Sequence, residues 1–258
     1  MKLCFATLGC PTWSLARIAE RAALYGYDGV ELRIGGDKHI DPAMSAEERA
    51  GVKRLFAEAG LAIASTSGYT RFAGQTNPAL EGQRDDLIRN IGLASDIGSP
   101  YVRTFMGEED GGRLSEYGAR MLREACERAR EQGVTVLMET HDSLGDGKQA
   151  LDLLNTVGSG GLGVLWDIHR TAMAGETPAQ TYAALGANIR HLHVKDADAE
   201  HRPCLPGEGI LPIMEVSRLL EERGFDGYLS FEWEKMWAPE LEEPEEAFPR
   251  YIALLRSL

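Results

Sequence analysis

The stretch "GYDGVEL" at residues 26–32 returns in closely similar form as "GFDGYLS" at residues 224–230. Each copy follows a stretch in which apolar residues recur at helical spacing, and each opens a β-rich run. The first glycine of each copy is typical of a helix that ends in a left-handed C-cap. The repeat therefore indicates recurring β/α units, because a copied turn alone would not bring a helix and a strand with it.

The same alternation runs along the chain. Short β-rich stretches occur eight times, at residues 2–9, 28–34, 61–67, 101–106, 134–141, 162–169, 189–195 and 227–234. Amphipathic helical patterns separate and follow them, at residues 14–26, 46–60, 79–98, 115–133, 148–158, 177–186, 212–224 and 245–258. This order predicts an α/β fold, a (β/α)8 TIM barrel, as a single domain over residues 1–258. An open doubly wound sheet is less favoured, because "GCPTWS" after the first strand is not a phosphate-binding glycine loop.

The composition limits the kinds of partner. The net charge is −13, whereas proteins that bind nucleic acid normally present a basic face to the phosphates. No apolar run approaches the ~18 residues of a membrane-spanning helix. Cys4, Cys10, Cys126 and Cys204 form no CxxC pair, as is typical of thiols in a reducing compartment. We therefore expect a cytoplasmic protein with no nucleic-acid or membrane partner.

Residue types that ligate metals stand near the predicted carboxyl ends of four consecutive strands, where a TIM barrel carries its chemistry. They are Glu139, Asp167, His193 and Glu232. Side chains alternate along a strand, which places these four near the top of the barrel. Three carboxylates left unpaired there would be strongly unfavourable, and one divalent metal ion would neutralise them. Three oxygen ligands and one imidazole favour Mn²⁺, Mg²⁺ or Co²⁺ over Zn²⁺, which usually takes a softer ligand set.

Each residue also has a simpler interpretation when it is taken alone. A single acid at a strand end often caps the next helix, and His191 is expected to be a hydrogen-bonded histidine of the barrel interior. Lys195 would pair with Asp196 or Asp198. The coincidence of four ligand types on neighbouring strands is what favours the metal site.

Seven motifs resemble the xylose isomerase-like TIM-barrel superfamily, the sugar phosphate isomerase/epimerase group, and occur in its order. They are "GCPTW", "YGYDGVELR", "VLMETH", "GVLWDIH", "HLHVKD", "PGEG" and "YLSFEWE". The resemblance implies one divalent metal ion held by Glu139, Asp167, His193 and Glu232. It also implies that Glu139 and Glu232 act as an acid/base pair through an enediolate of a small sugar or polyhydroxy carbonyl substrate. Homodimers and homotetramers are common in this group.

Further residues are predicted to contact the substrate. Lys195, Arg103 and Glu31 would contact its hydroxyl or carboxylate groups, Trp13 would wall the pocket with Tyr69 and Phe72, and His141 and His169 would lie around the metal or the substrate. Epimerases of the group usually carry a histidine three residues after the aspartate ligand. This sequence has Arg170 there and His169 one position earlier. An arginine at this position favours a carboxylate or phosphate on the substrate.

The leading hypothesis is a metal-dependent isomerase or epimerase of a small polyhydroxy carbonyl compound. The main alternative on the same scaffold is a lyase that dehydrates an inosose or a dehydroshikimate-type acid. A sugar-binding barrel without catalysis is less favoured, because all four ligand types are present. A DNA repair enzyme similar to endonuclease IV is also less favoured, because the chain has only six histidines and a charge of −13.

Overall fold

The computed structural model describes residues 1–108 and 113–256. Within these residues, eight parallel strands close into a barrel. The barrel strands are β1 (Lys2–Ala6), β2 (Gly29–Arg33), β3 (Ala62–Arg71), β4 (Tyr101–Phe105), β5 (Thr135–Glu139), β6 (Leu162–Asp167), β7 (Ile189–Val194) and β10 (Tyr228–Phe231). Their order around the barrel is β1-β10-β7-β6-β5-β4-β3-β2. The predicted (β/α)8 barrel is confirmed.

Helices follow the strands and cover the outside of the barrel. They are α1 (Leu15–Tyr25), α2 (Ala46–Glu58), α3 (Asn77–Ile97), α4 (Glu116–Glu131), α5 (Gly147–Val157), α6 (Ile168–Met173), α7 (Pro178–Leu185), α8 (Ile213–Glu222) and α9 (Pro244–Leu255). Helix α9 corresponds to the pattern predicted at 245–258, of which residues 257–258 lie outside the described part. In the part of the chain that the structure describes, no helix combines the length and apolar character that crossing a bilayer requires.

Local sequence signals set where the helices begin and end. Three serines cap helices: the side chains of Ser14, Ser45 and Ser115 accept backbone N–H groups in the first turn of α1, α2 and α4. Gly26, the first residue of the repeated stretch, ends α1 with φ 81°. A left-handed residue there closes the helix and lets the chain enter β2 directly.

Strand β6 ends earlier than the sequence pattern predicts. The pattern extended the strand to His169, but β6 ends at Asp167 and helix α6 follows at once. The side chain of Asp167 accepts the backbone N–H of His169 at 2.9 Å, which caps the helix. Residues after Asp167 therefore leave the strand alternation.

A short antiparallel pair of strands, β8 (Asp196–Ala197) and β9 (Pro203–Cys204), follows β7. Asp196 is buried, and its carboxylate accepts the backbone N–H groups of Gly207, Gly209 and Leu211 at 2.8, 3.0 and 3.2 Å. A Cβ at Gly209 would lie 2.1 Å from Asp196 Oδ1, so the close approach of this loop requires glycine. Asp196 thereby fixes the chain immediately after Lys195.

Candidate active site and metal centre

Four acidic side chains converge at the carboxyl ends of the barrel strands. Glu31 comes from β2, Glu139 from β5, Asp167 from β6, and Glu232 directly follows β10. The first three are fully buried and Glu232 is 6% exposed. Carboxylates in such a position need counter-charges or hydrogen bonds, because burial strongly disfavours an unpaired charge.

His193 lies at the centre of these acids. Its Nδ1 is 2.9 Å from Glu139 Oε1 and 3.2 Å from Glu232 Oε1. Its Nε2 is 3.0 and 3.1 Å from the two carboxylate oxygens of Glu31. Burial alone would lower the pKa of His193, but the surrounding carboxylates outweigh it and raise the pKa well above its ordinary value. The imidazole therefore contacts three of the four acids, Glu31, Glu139 and Glu232.

Two permanent cations complete the cluster. Lys195 Nζ lies 3.2 Å from Asp167 Oδ2 and also contacts Glu232, while Arg103 Nη1 lies 3.1 Å from Glu139 Oε2 and 3.7 Å from Glu232 Oε1. Burial would lower the pKa of Lys195, but the charges of these acids keep it well above its usual value. Both side chains therefore remain charged at neutral pH.

The same charges keep the two glutamates ionised. Burial would raise the pKa of Glu139, but the charges of His193 and Arg103 outweigh it, so the pKa lies below its ordinary value. For Glu232, burial is likewise outweighed by His193 and Lys195, and its pKa lies well below the usual range. Both carboxylates can therefore act as metal ligands or as general bases at neutral pH.

The cluster contains more negative than positive charge. Counted over the described residues, the four buried carboxylates around His193 are in direct contact with two permanent cations, Lys195 and Arg103. Two negative charges remain, and protonation of His193 offsets one of them. Ligand atoms of Glu139, His193 and Glu232 all lie within 4.8 Å of one another. A divalent cation at this point would balance the charge with a neutral imidazole, so the residues present fit a metal.

Asp167 lies beside this group of three and not within it, which differs from the predicted set of four converging ligands. The ammonium group of Lys195 bridges Asp167 Oδ2 and Glu232, because both acids need a counter-charge. Asp167 Oδ2 is buried and makes no hydrogen bond to any described residue. A metal ion that took Asp167 as a fourth ligand would replace the ammonium group of Lys195 at this oxygen.

A cavity of about 280 Å³ opens above the cluster. Its lining combines acidic, basic and aromatic side chains: Leu8, Tyr69, Arg71, Arg103, Phe105, Glu139, His141, Arg170, Lys195, Glu232, Glu234 and Trp237. Its size and polarity suit a small polar molecule.

Residues 19–258 match the family described as xylose isomerase-like TIM barrel. The chain belongs to this family. Fructoselysine 3-epimerase of Escherichia coli O157:H7 is 28% identical over 277 residues, which cover 99% of this chain and 98% of that protein. Inosose dehydratase of Lacticaseibacillus casei is 27% identical over 150 residues, covering 50% of this chain and 47% of that protein. The crystal structure of a probable 3-DHS dehydratase from Bacillus anthracis superposes with a TM-score of 0.81 at 20% identity and covers 99% of both chains.

The cavity of this xylose isomerase-like barrel contains four of the residues predicted as substrate contacts, namely Arg103, His141, Arg170 and Lys195. Nη2 of Arg170 donates to Nε2 of His141 at 3.2 Å. Nδ1 of His141 lies 2.7 Å from Asp142 Oδ1 and 2.8 Å from the backbone nitrogen of Asp142. This chain of hydrogen bonds fixes the orientation of Arg170 at the cavity.

Three predicted substrate contacts lie outside the lining of this cavity. Glu31 lies below it, fully buried and bonded to His191 and His193. Trp13 packs edge-on against Phe248 with ring centroids 5.8 Å apart, in the layer between barrel and helices. His169 is in helix α6 because β6 ends early, so it does not share the inward face of the strand. These three residues do not line this cavity, and their contact with a substrate stays a prediction.

Several residues of the lining were missed by the sequence reasoning. Arg71 belongs to β3, which runs four residues beyond the predicted end at residue 67 and keeps the alternation of Ser67 and Tyr69. Glu234 also lines the cavity, and its Oε1 lies 3.0 Å from Lys195 Nζ. Trp237 belongs to a loop, and Leu8 lies in a 3-10 turn over Thr7–Gly9, where the predicted strand 2–9 had already ended at Ala6. Continuing the alternation of side chains past residue 67 would have placed Arg71 on the same face of β3 as Ser67 and Tyr69.

Proposed function

We propose that the protein is a divalent-metal-dependent epimerase of a small sugar or polyhydroxy carbonyl compound, with Glu139 and Glu232 as its acid/base pair. One observation carries the proposal: the carboxylates of Glu139 and Glu232 lie 2.9 and 3.2 Å from Nδ1 of His193, and both reach the cavity. The near full-length similarity to a sugar 3-epimerase supports it.

The metal would be held by Glu139, Asp167, His193 and Glu232. Oxygen-rich ligands favour Mn²⁺, Mg²⁺ or Co²⁺ over Zn²⁺. When bound, the ion would supply Lewis acidity that polarises a carbonyl and makes the neighbouring C–H more acidic. Glu31 would orient the histidine ligand of such a site. It contacts Nε2 of His193, so that Nδ1 lies on the side of Glu139 and Glu232.

The residues of the chain supply the proton transfers. One of the two carboxylates, ionised, takes the proton from the carbon next to the carbonyl, and the C–H electron pair enters the enediolate. The other carboxylate, which is ionised in the free protein, must first take up a proton from solvent; it then delivers that proton to the opposite face of the carbon and inverts its configuration. Arg103 and Lys195 line the same cavity and donate hydrogen bonds to developing negative charge on the substrate oxygens. The cycle closes when the two carboxylates exchange a proton with solvent.

Solvent deuterium exchange tests the proposal directly. The purified protein, loaded with Mn²⁺, is incubated in D₂O with a panel of ketoses, fructosyl amines, inososes and dehydroshikimate-type acids. Deuterium at the carbon next to the carbonyl, without loss of water, is the expected result. A metal-loaded protein that exchanges no compound of the panel would overturn the proposal and favour a barrel that only binds sugar.

A dehydratase is the second candidate. It is favoured by the basic side chains of the cavity, since Arg71 and Arg170 would suit an acidic substrate. In this reaction the enediolate expels a hydroxyl group from the adjacent carbon as water instead of regaining a proton. Loss of water with the appearance of a conjugated chromophore in the same incubations would identify it.

A further inference from the structure

An alternating row of arginines and aromatic rings runs along one wall of the cavity. The guanidinium of Arg103 lies 5.0 Å from the ring centre of Tyr69 and 4.4 Å from that of Phe105. Arg33 lies 5.5 Å from Tyr69 on one side of this pair. Arg71 lies 5.1 Å from Phe105 on the other. Stacking on aromatic faces holds the guanidinium groups in place while leaving their N–H donors free for other partners.

Only part of the positive charge in this row is balanced. Arg103 belongs to the acid cluster through its contact with Glu139. Arg71 has Asp142 at 3.5 Å. Arg33 and Arg170 have no carboxylate oxygen within 4.0 Å among residues 1–108 and 113–256. Asp142 is thus the carboxylate that acts on Arg71 and Arg170, and Arg33 has none within this distance among the described residues.

Arg33 shows the imbalance most clearly, because it is only 2% exposed. Its Nε donates to the hydroxyl of Tyr69 at 2.6 Å, and its guanidinium also lies 5.5 Å from the ring of Trp237. Its Nη2 is buried and has no hydrogen-bond partner in the described part of the chain. A buried cation with an unused donor is costly unless an anion comes near it.

Arg170 and Arg71 are the members of this set that reach the cavity itself. They lie on either side of the pair formed by His141 and Asp142, since Arg170 contacts His141 and Arg71 contacts Asp142. The hydrogen bond from His141 and the nearby guanidinium charges keep the pKa of Asp142 below its ordinary value, against the opposing effect of burial. One ionised carboxylate therefore orients two guanidinium groups and neutralises only one.

We infer that the substrate carries an anionic group, a carboxylate or a phosphate, which binds between Arg71 and Arg170 while its carbonyl end faces Glu139 and Glu232. The inference rests on the proposed function and specifies its substrate class. The cavity lining includes both the carboxylates of Glu139 and Glu232 and the guanidinium groups of Arg71 and Arg170. Such an arrangement orients an acidic sugar with its reactive carbon at the carboxylate pair.

A matched pair of compounds isolates the anionic charge. N-fructosylglycine and its amide share the same sugar and differ in the carboxylate, and fructose 6-phosphate places a phosphate at the other end of the ketose. We expect kcat/KM for deuterium exchange of N-fructosylglycine to exceed that of its amide, or that of fructose 6-phosphate to exceed that of fructose, by about 10- to 100-fold, the range of charged hydrogen bonds. Which anion gains the advantage distinguishes carboxylate from phosphate.

Substitutions then test the two arginines. Arg71→Gln and Arg170→Gln are each expected to lower the ratio of kcat/KM between the anionic compound and its neutral counterpart by about 10-fold, mainly through KM. Arg130→Gln removes one positive charge from an exposed position of α4 and should leave the ratio unchanged. An undiminished ratio in both cavity variants would overturn the assignment to these residues.

Binding measured by calorimetry separates this inference from the proposed reaction. If deuterium exchange occurs and the anionic and neutral compounds react equally well, the inference is wrong and the proposed epimerase stands. If no compound exchanges, the proposed reaction fails, and the dissociation constants of the acid and its amide still test the subsite. Equal constants would then overturn it, whereas tighter binding of the acid that is lost in Arg170→Gln would support it.

Discussion

His193 and Glu31 face each other across the barrel interior, with Nε2 of the histidine 3.0 Å from Oε1 and 3.1 Å from Oε2 of the glutamate. Their strands, β7 and β2, are not neighbours in the barrel. With a metal ion bound at Nδ1, the proton of a neutral imidazole would sit on Nε2, where the carboxylate of Glu31 accepts it. Nδ1 lies on the side of Glu139 and Glu232, where a metal would need its lone pair.

We expect Glu31→Gln to weaken binding of Mn²⁺ by about 10- to 100-fold, as for other carboxylates that orient a histidine ligand. The amide of glutamine removes the negative charge and can donate to Nε2, so it no longer fixes the tautomer. Isothermal titration of the metal-free protein measures the effect. Ser67→Ala is the matched control, because it removes a hydrogen bond to Glu31 and keeps the carboxylate; equal losses in both variants would argue against the tautomer explanation.

Glu139→Gln and Glu232→Gln should each lower the rate of deuterium exchange by about 10²- to 10⁴-fold, the usual contribution of general acid/base groups. Circular dichroism should show that the fold is retained, since glutamine preserves shape at both positions. Exchange is measured at saturating Mn²⁺, so that weaker metal binding is not mistaken for lost catalysis. Glu131→Gln, at an exposed position of α4, serves as the control. Wild-type exchange in either cavity variant would remove that residue from the mechanism.

Removing the metal should lower the thermal stability. A divalent ion at 100 times its dissociation constant would add about 2.7 kcal/mol to the free energy of unfolding. For a chain of this size, that corresponds to a rise in Tm of roughly 5–10 °C. The measurement compares melting with Mn²⁺ and with a chelator, and the difference should shrink in Glu232→Gln. A Tm that does not depend on the metal in the wild-type protein would contradict the charge balance described for the acid cluster.

Two glycine substitutions should change stability in opposite directions. Gly209→Ala should destabilise the fold by about 1–3 kcal/mol, because its Cβ would lie 2.1 Å from Asp196 Oδ1. Gly51→Ala, in the interior of α2 with no atom within 4 Å of the added Cβ, should stabilise it by about 0.5–1 kcal/mol. Denaturant unfolding provides both values. If Gly209→Ala were neutral, the anchoring of the loop by Asp196 would be less important than its hydrogen bonds indicate.

The sequence contains enough information to predict the barrel, because each strand and helix has its own period and the repeated stretch at 26–32 and 224–230 marks the unit. It also places Glu139, His193 and Glu232 at the right end of their strands. Contacts across the barrel interior could not be predicted from the sequence. The bond between His193 and Glu31 depends on how the barrel closes, which the alternation within a strand does not encode.

Other differences arise from side chains that override the local pattern. Asp167 caps α6 with its own carboxylate, so the strand stops and His169 turns away from the predicted face. The pairing of Lys195 with Asp167 depends on the register of β7 against β6, where Asp167 lies opposite His193. Trp13 was assigned to the pocket by its residue type alone, and its ring packs with Phe248 between barrel and helices instead.

The metal stoichiometry tests the central claim most directly: that the carboxylates around His193 carry an excess of two negative charges which a divalent cation neutralises. Metal-free protein is titrated with Mn²⁺ in a calorimeter, alongside the double variant Glu139→Gln/Glu232→Gln. We predict one equivalent bound per chain by the wild-type protein and none by the double variant at the same concentrations. A wild-type protein that binds no ion, or a double variant that binds it as tightly, would contradict the account.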